Sequence, residues 1–359
     1  MKISKLSLAI KLSAGLLIIL NTFWLSSCTG HKNKKAGETV TDSLNVKQDT
    51  VDISTLNMLI RRDPTNASLF ARRAKMQSTL KKNDEAINDI SIALRLDSLV
   101  PGYYIQQSEY YVVAGRPNSA KNSLNRGLKL FPDNVDLMLK LAEIHFYLKE
   151  YGRAKIILNN VMSIDDDNPQ LYFLNGLISA ENKDTSGAIR YFKTAIEKDP
   201  DFYAAYMQTG RLMAAQNNDM AMQYYQSAID LTPESYEARY HLALYSQEHS
   251  HLDEALSQYD YIIHRIDSTV AFPYFNKGYI DMIYKKDFDQ AIQWFTRALS
   301  YKPDYTEAYY NRGFCYEISG KYKRAKEDYN ACLKLAPNYP LAIKGLNRID
   351  DGKPIKIKK

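Results

Sequence analysis

Ala188, Phe192 and Ala195 stand at i, i+4 and i+7, the spacing of one helical face, and run small, large, small along it. Such a face leaves a gap beside the large side chain that a ring from the next helix can fill. The alanine that opens it recurs at 86, 120, 154, 188, 221, 255, 291 and 325, at intervals of 34, 34, 34, 33, 34, 36 and 34 residues. About twelve residues before each alanine stands another small residue: Ala74, Ser108, Ala142, Gly176, Gly210, Ala243, Gly278 and Gly313. A small residue there allows the first helix of a pair to lie close against the second. The pattern predicts helix–turn–helix units, and prolines 132, 200, 233, 303 and 337 stop the second helix or start the next unit.

Eight units follow, at about 67–100, 101–134, 135–168, 169–202, 203–235, 236–270, 271–305 and 306–339. A half unit at 53–66 precedes them and a helix at 340–349 caps them, with Ile343 and Leu346 covering the apolar end while Lys344, Asn347 and Arg348 face water. The stretch "GFCYEISGKYKRA" at 313–325 falls inside this frame. Its "GK" is not a phosphate loop, because six residues separate Gly313 from Gly320 and Tyr322 stands where a metal-binding hydroxyl is needed. Gly320 instead belongs to the turn between the two helices, where φ > 0 ends the first.

The last unit carries Tyr309, Gly313, Tyr316, Ala325, Tyr329, Cys332 and Pro337, and the frame places Tyr104, Met138, Tyr172, Tyr206 and Tyr274 at the large first-helix position of other copies. This resembles the tetratricopeptide repeat, with its 34-residue period and W-x₂-L-G-x₂-Y…A-x₃-F…P pattern. The resemblance implies an all-α superhelical solenoid whose inner wall, built mainly from first helices, takes extended peptides or partner helices. Departures from the pattern fall at Arg73, Gln77 and Ser98 in the first repeat and at Asp166 in the third. The lysine, asparagine and arginine set with which some members hold a terminal carboxylate is missing. The corresponding places in repeats seven and eight hold Phe275, Tyr279, Met282, Tyr310, Asn311 and Phe314, which are expected to form a protein-binding stripe. Repeats two to four offer a different wall, with Glu109, Asp136, Glu143 and Glu181, suited to a basic segment of the partner.

The N-terminus changes the picture. Lysines 2, 5 and 11 precede an uncharged, largely apolar run from Leu12 to Leu25, too short for a comfortable membrane span of roughly 20 residues and suited to an export signal. "LSSC" at 25–28 then resembles the lipobox of bacterial lipoproteins, in which residues 1–27 are removed and the cysteine, Cys28, is acylated. Residues 28–52 have few apolar positions and no helical period, as expected of a flexible tether. The formal net charge of +6 is concentrated in the signal (+3) and in the last seven residues, "KPIKIKK" (+4), within a basic tail at 350–359. Residues 54–352 are thus close to neutral, with no basic face for nucleic acid.

Little else reads as chemistry. His249 and His251 lie among acids in a polar turn with His241 one helix away, and His145 occupies a packing position. Cys315 and Cys332 read as buried thiols, Cys332 at a small-residue packing position. No catalytic group, metal set or cofactor motif is legible. The expectation is a non-enzymatic adaptor, lipid-anchored in the bacterial cell envelope at the periplasmic face of the outer membrane, that gathers protein partners. The alternative is an accessory subunit that recruits or regulates an envelope enzyme such as a peptidoglycan hydrolase or protease.

Overall fold

The computed structural model describes residues 52–355. The export signal at 1–27, Cys28, the tether to residue 51 and the last four residues of the basic tail lie outside the described residues. Within them the chain forms eighteen helices and no strand. A single helix, α1 (Ile53–Arg62), is followed by pairs: α2 (Ala67–Thr79) with α3 (Asn83–Leu96), α4 (Pro101–Val113) with α5 (Pro117–Leu130), and α6 (Val135–Tyr147) with α7 (Tyr151–Ile164). Next come α8 (Pro169–Glu181) with α9 (Thr185–Lys198), α10 (Tyr203–Ala215) with α11 (Met220–Leu231), and α12 (Tyr236–Glu248) with α13 (Leu252–Tyr261). The chain ends with α14 (Ala271–Ile280) and α15 (Phe288–Tyr301), α16 (Thr306–Ile318) and α17 (Tyr322–Leu335), and α18 (Pro340–Asp350).

The packing inside each pair follows from the small residues. A Cβ on Gly176 of α8 would lie 2.5 Å from the ring of Phe192 on α9, and one on Gly313 of α16 would lie 3.1 Å from Tyr329 on α17. Each ring therefore fills the space its glycine vacates. Every turn inside a pair passes through one left-handed residue, at Lys81, Gly115, Lys149, Lys183, Asn217, Ser250, Lys286 and Gly320. Between pairs, a tyrosine near the start of the first helix ties the turn that leads into it. Tyr104, Tyr172 and Tyr274 donate to the carbonyls of Ser98, Asp166 and Ser268, each six residues earlier, at 3.2, 2.7 and 3.0 Å. At all three of these places proline is lacking, and the phenol holds the turn instead.

A polar ladder joins successive pairs. Arg73 reaches Asp89 sixteen residues ahead at 2.6 Å and Asn57 sixteen behind at 2.7 Å. Gln107 does the same with Ser123 and Ser91, and Arg312 with Asp328 and Thr296. The departure at Arg73 is thus a ladder rung, and its partner Asp89 is buried. Repeats three to six place Leu141, Asn175, Thr209 and Leu242 there. Asn175 and Thr209 satisfy themselves on carbonyls of their own helices.

Repeats six and seven depart from the regular geometry. A five-residue π turn, Ile262–Ile266, extends α13, and another, Asp281–Lys285, extends α14. Each takes up one extra residue, so the first helices of repeats six, seven and eight begin at 236, 271 and 306, 35 residues apart rather than 34. Together they account for the 36-residue interval between Ala255 and Ala291. The ladder shifts with them, since Lys277 pairs with Asp260, seventeen residues behind, and sets its ammonium 4.0 Å over the ring of Trp294, seventeen ahead.

The cap differs from expectation. Ala342, Leu346 and Ile349 cover the apolar end of α16 and α17, while Ile343 is 39% exposed. Arg348 turns inward to the fully buried carboxylate of Glu317, which also accepts from Tyr329 at 2.7 Å and from the Ile355 N–H at 3.1 Å. A buried charge needs this many donors to offset its lost hydration, so the arginine could not stay in water.

Candidate functional site

First helices of adjacent repeats approach one another directly, as in α4 with α6, α6 with α8, α10 with α12 and α16 with α18. They form the inner wall of the stack. Along its C-terminal half, aromatic rings follow one another from repeat to repeat. Tyr236 stacks on Tyr240 at 5.6 Å, Tyr240 meets Phe272 at 6.4 Å, and Phe272 stands edge-on to Tyr305 at 5.6 Å. Phe275 extends the row to Tyr305 at 4.7 Å. Phe272 is 39% exposed in the middle of the row, and the Lys302 ammonium sits 4.9 Å from the centres of both Phe272 and Tyr305.

Period and turn chemistry place these rings. Tyr240, Phe275 and Tyr310 occupy equivalent positions, five residues into the first helices of repeats six, seven and eight. Burial raises the phenols of Tyr236, Tyr240 and Tyr305 above their ordinary value, so all three remain protonated at neutral pH. The row can therefore offer apolar faces and neutral hydroxyls, with one cation at its edge.

The stripe expected from the sequence is only partly a surface. Met282 is 5% exposed and packs with Ala291, Phe295 and Cys315, and Asn311 is 8% exposed. Neither can meet a partner. Met282 is the second residue of the second π turn, and its equivalents in repeats six and eight, Gln247 and Glu317, are buried as well. Phe275, Tyr279 and Phe314 are half-buried against that same cluster, while Tyr310 leans on Phe314, Tyr329 and Tyr339. These four rings join repeat seven to eight and eight to the cap. Tyr236, Tyr240, Phe272, Lys302 and Tyr305, not singled out in the sequence, lie one repeat earlier. The equivalence of Tyr240 to Phe275 and Tyr310 was the signal that could have found them.

The acidic wall is also modified by the fold. Lys140 bridges Glu109 at 3.5 Å and Glu143 at 2.8 Å, and Gln170 donates to Glu143 at 3.0 Å. Glu181 accepts from the Tyr151 hydroxyl at 3.1 Å. Burial raises Glu109 above the usual carboxylate range, against the pull of Lys140. Much of that wall is thus satisfied internally rather than held open for a basic partner.

The remaining polar candidates find structural places. His249 stacks on Tyr245 at 3.9 Å, His145 binds Glu150, and His241 stacks on Tyr225 at 5.6 Å. Cys315 and Cys332 are free and buried, and burial raises their thiols to about 12 and about 11.

Models of the tetratricopeptide repeat match residues 112–174, 283–317 and 306–339. The chain is 23% identical over 222 residues to the DnaJ homolog subfamily C member 7 homolog of Dictyostelium discoideum, covering 62% of this chain and 38% of that protein. It is 26% identical over 305 residues to the human protein O-mannosyl-transferase TMTC3, covering 80% of this chain and 32% of that protein. The chain therefore spans less than two thirds of the length of either relative. A solved tetratricopeptide repeat protein from Parabacteroides merdae is 18% identical, with 68% of this chain and 96% of that one covered and a TM-score of 0.44. The chain carries tetratricopeptide repeats, stacked as an all-α superhelical solenoid.

Proposed function

We propose that this protein is a non-enzymatic scaffold, held in the bacterial cell envelope by lipid on Cys28, that captures a partner protein on the inner wall of repeats six and seven. The observation that carries the reading is the aromatic row, with Phe272 exposed in its centre between Tyr240 and Tyr305. Large rings held by their neighbours lose little freedom on binding, which is why aromatic anchors dominate interfaces. The occupant is an extended segment or helix of the partner that lays apolar side chains along the row and sets an acidic side chain against Lys302. Tetratricopeptide repeats are protein-interaction modules, which supports the same reading.

Envelope location rests on the lipobox-like "LSSC" and the apolar run before it. Several acyl chains on one residue give a stable anchor at ~0.8 kcal/mol per buried CH₂. Labelling cells with a fatty-acid probe is expected to mark the wild type and not Cys28→Ala; equal labelling of the two would remove the anchor from the account.

A further inference from the structure

A half-open cavity of about 340 Å³ lies between α13 with its π turn, α14 and α15. It opens on a stripe of α14 that carries Tyr274 and Lys277, distinct from the stripe that carries Phe272 and Phe275 into the aromatic row. Single-turn π insertions recur at functional sites because they turn side chains out of the regular register. Here they lengthen both spans of the polar ladder by one residue, at the place where the cavity forms.

The lining divides into two halves. Ile263, Tyr274 and Trp294 supply apolar walls, and the Trp294 ring is fixed because its Nε1–H donates to the buried Asp281 at 2.9 Å. The other half holds the cations. Lys277 is 8% exposed and already joined to Asp260, the lone carboxylate of the lining. Arg297, by contrast, pairs with no carboxylate among the described residues and lies against two tyrosine rings, 5.1 Å from Tyr301 and 6.0 Å from Tyr274. The amides of Gln290 and Gln293 and the imidazole of His264 complete the rim. One acid faces Lys277 and Arg297, with His264 beside them, which leaves an excess of at least one positive charge.

We propose that this cavity binds a small free organic carboxylate carrying an aromatic or branched apolar group. The carboxylate pairs with the Arg297 guanidinium, whose planar fork suits it, and the apolar group lies against Ile263, Tyr274 and Trp294. The volume stands near the lower end of small-molecule sites, which favours a ligand the size of a single amino acid.

The test uses N-acetyl-phenylalanine as the acid and N-acetyl-phenylalaninamide as its uncharged twin, followed by Trp fluorescence and by calorimetry on the full chain. The acid is expected to bind saturably, and the amide about tenfold or more weaker. Arg297→Gln, at an exposed position, is expected to lose the same factor with an unchanged melting temperature. Trp294→Phe should abolish the fluorescence response while calorimetry still reports binding. Equal binding of acid and amide, an unaffected Arg297→Gln, or no saturation at millimolar acid would overturn the proposal. Tighter binding by a peptide ending in phenylalanine than by the acetylated residue would overturn the assignment to a free molecule.

Discussion

Repeats one to five and repeats six to eight are built from the same schedule and use their inner walls in opposite ways. In the first region the helix pairs keep 34-residue steps to Tyr203, and inner-wall charges are closed among themselves, as in Glu109, Lys140 and Glu143. In the second, two π turns shift the register, rings replace the charges, and Phe272 remains open to water. A solenoid whose repeats touch only their neighbours can change locally without losing the stack. The difference teaches that the frame specifies stability while its interruptions and exposed rings mark where binding is sought.

The largest effect should come from overfilling the frame in the regular region. Gly176→Leu must displace Phe192, since even a Cβ would stand 2.5 Å from that ring, and is expected to cost about 3 kcal/mol or more. Gly313→Leu meets a looser contact at 3.1 Å and should cost about 1 to 3 kcal/mol. Urea melts give the order, and hydrogen exchange should show loosening confined to the altered repeat and its neighbours. A reversed order, or uniform loosening from α1 onward, would break the comparison.

The ladder sharpens it. Asp89→Ala leaves the Arg73 guanidinium without its bidentate partner inside repeat one and should cost about 3 kcal/mol. Asp260→Ala removes a partly exposed acid from the buried Lys277, which keeps the Trp294 face, and should cost about 1 to 2 kcal/mol. Equal losses would mean that the shifted rung in repeat seven is as tightly committed as the regular one.

A smaller effect is expected from His241. Burial, with Arg211 adding to it, lowers its imidazole to about 4, so the folded protein keeps it neutral where the unfolded chain, with a value near 6.5, binds a proton. The unfolded state then holds more protons between those values, and stability falls as pH drops from about 6.5 to 4, by about 2 to 3 kcal/mol. His241→Phe, which keeps a ring beside Tyr225, should flatten that part of the profile. An unchanged profile would assign the acid sensitivity to other groups.

The fold class was legible because small residues at two fixed places per period, Gly176 with Ala188 or Gly313 with Ala325, leave a helix pair little else to do. The 36-residue interval was equally visible, yet nothing in it says whether extra residues lengthen a loop or wind into a helix; the structure winds one into each of α13 and α14. The candidate site was legible only in kind. Aromatic positions such as Phe275 and Tyr310 read as surplus to packing, but their contacts come from the next repeat, which a single-repeat pattern omits. Met282 stands at a position that is buried in repeats six to eight alike, and Arg348 was lost to a buried acid 31 residues away.

The central claim is that a partner lies on the row through Phe272. A photo-crosslinking residue placed at position 272 in cells, and another at the exposed outer position 156, compare the inner wall with the second-helix face. The account predicts a discrete adduct from 272 and none of the same mass from 156, and its loss when Tyr240→Ser is combined with the crosslinker while the thermal melt is retained. The same adduct from both positions, or an adduct from 272 that survives Tyr240→Ser, would contradict it.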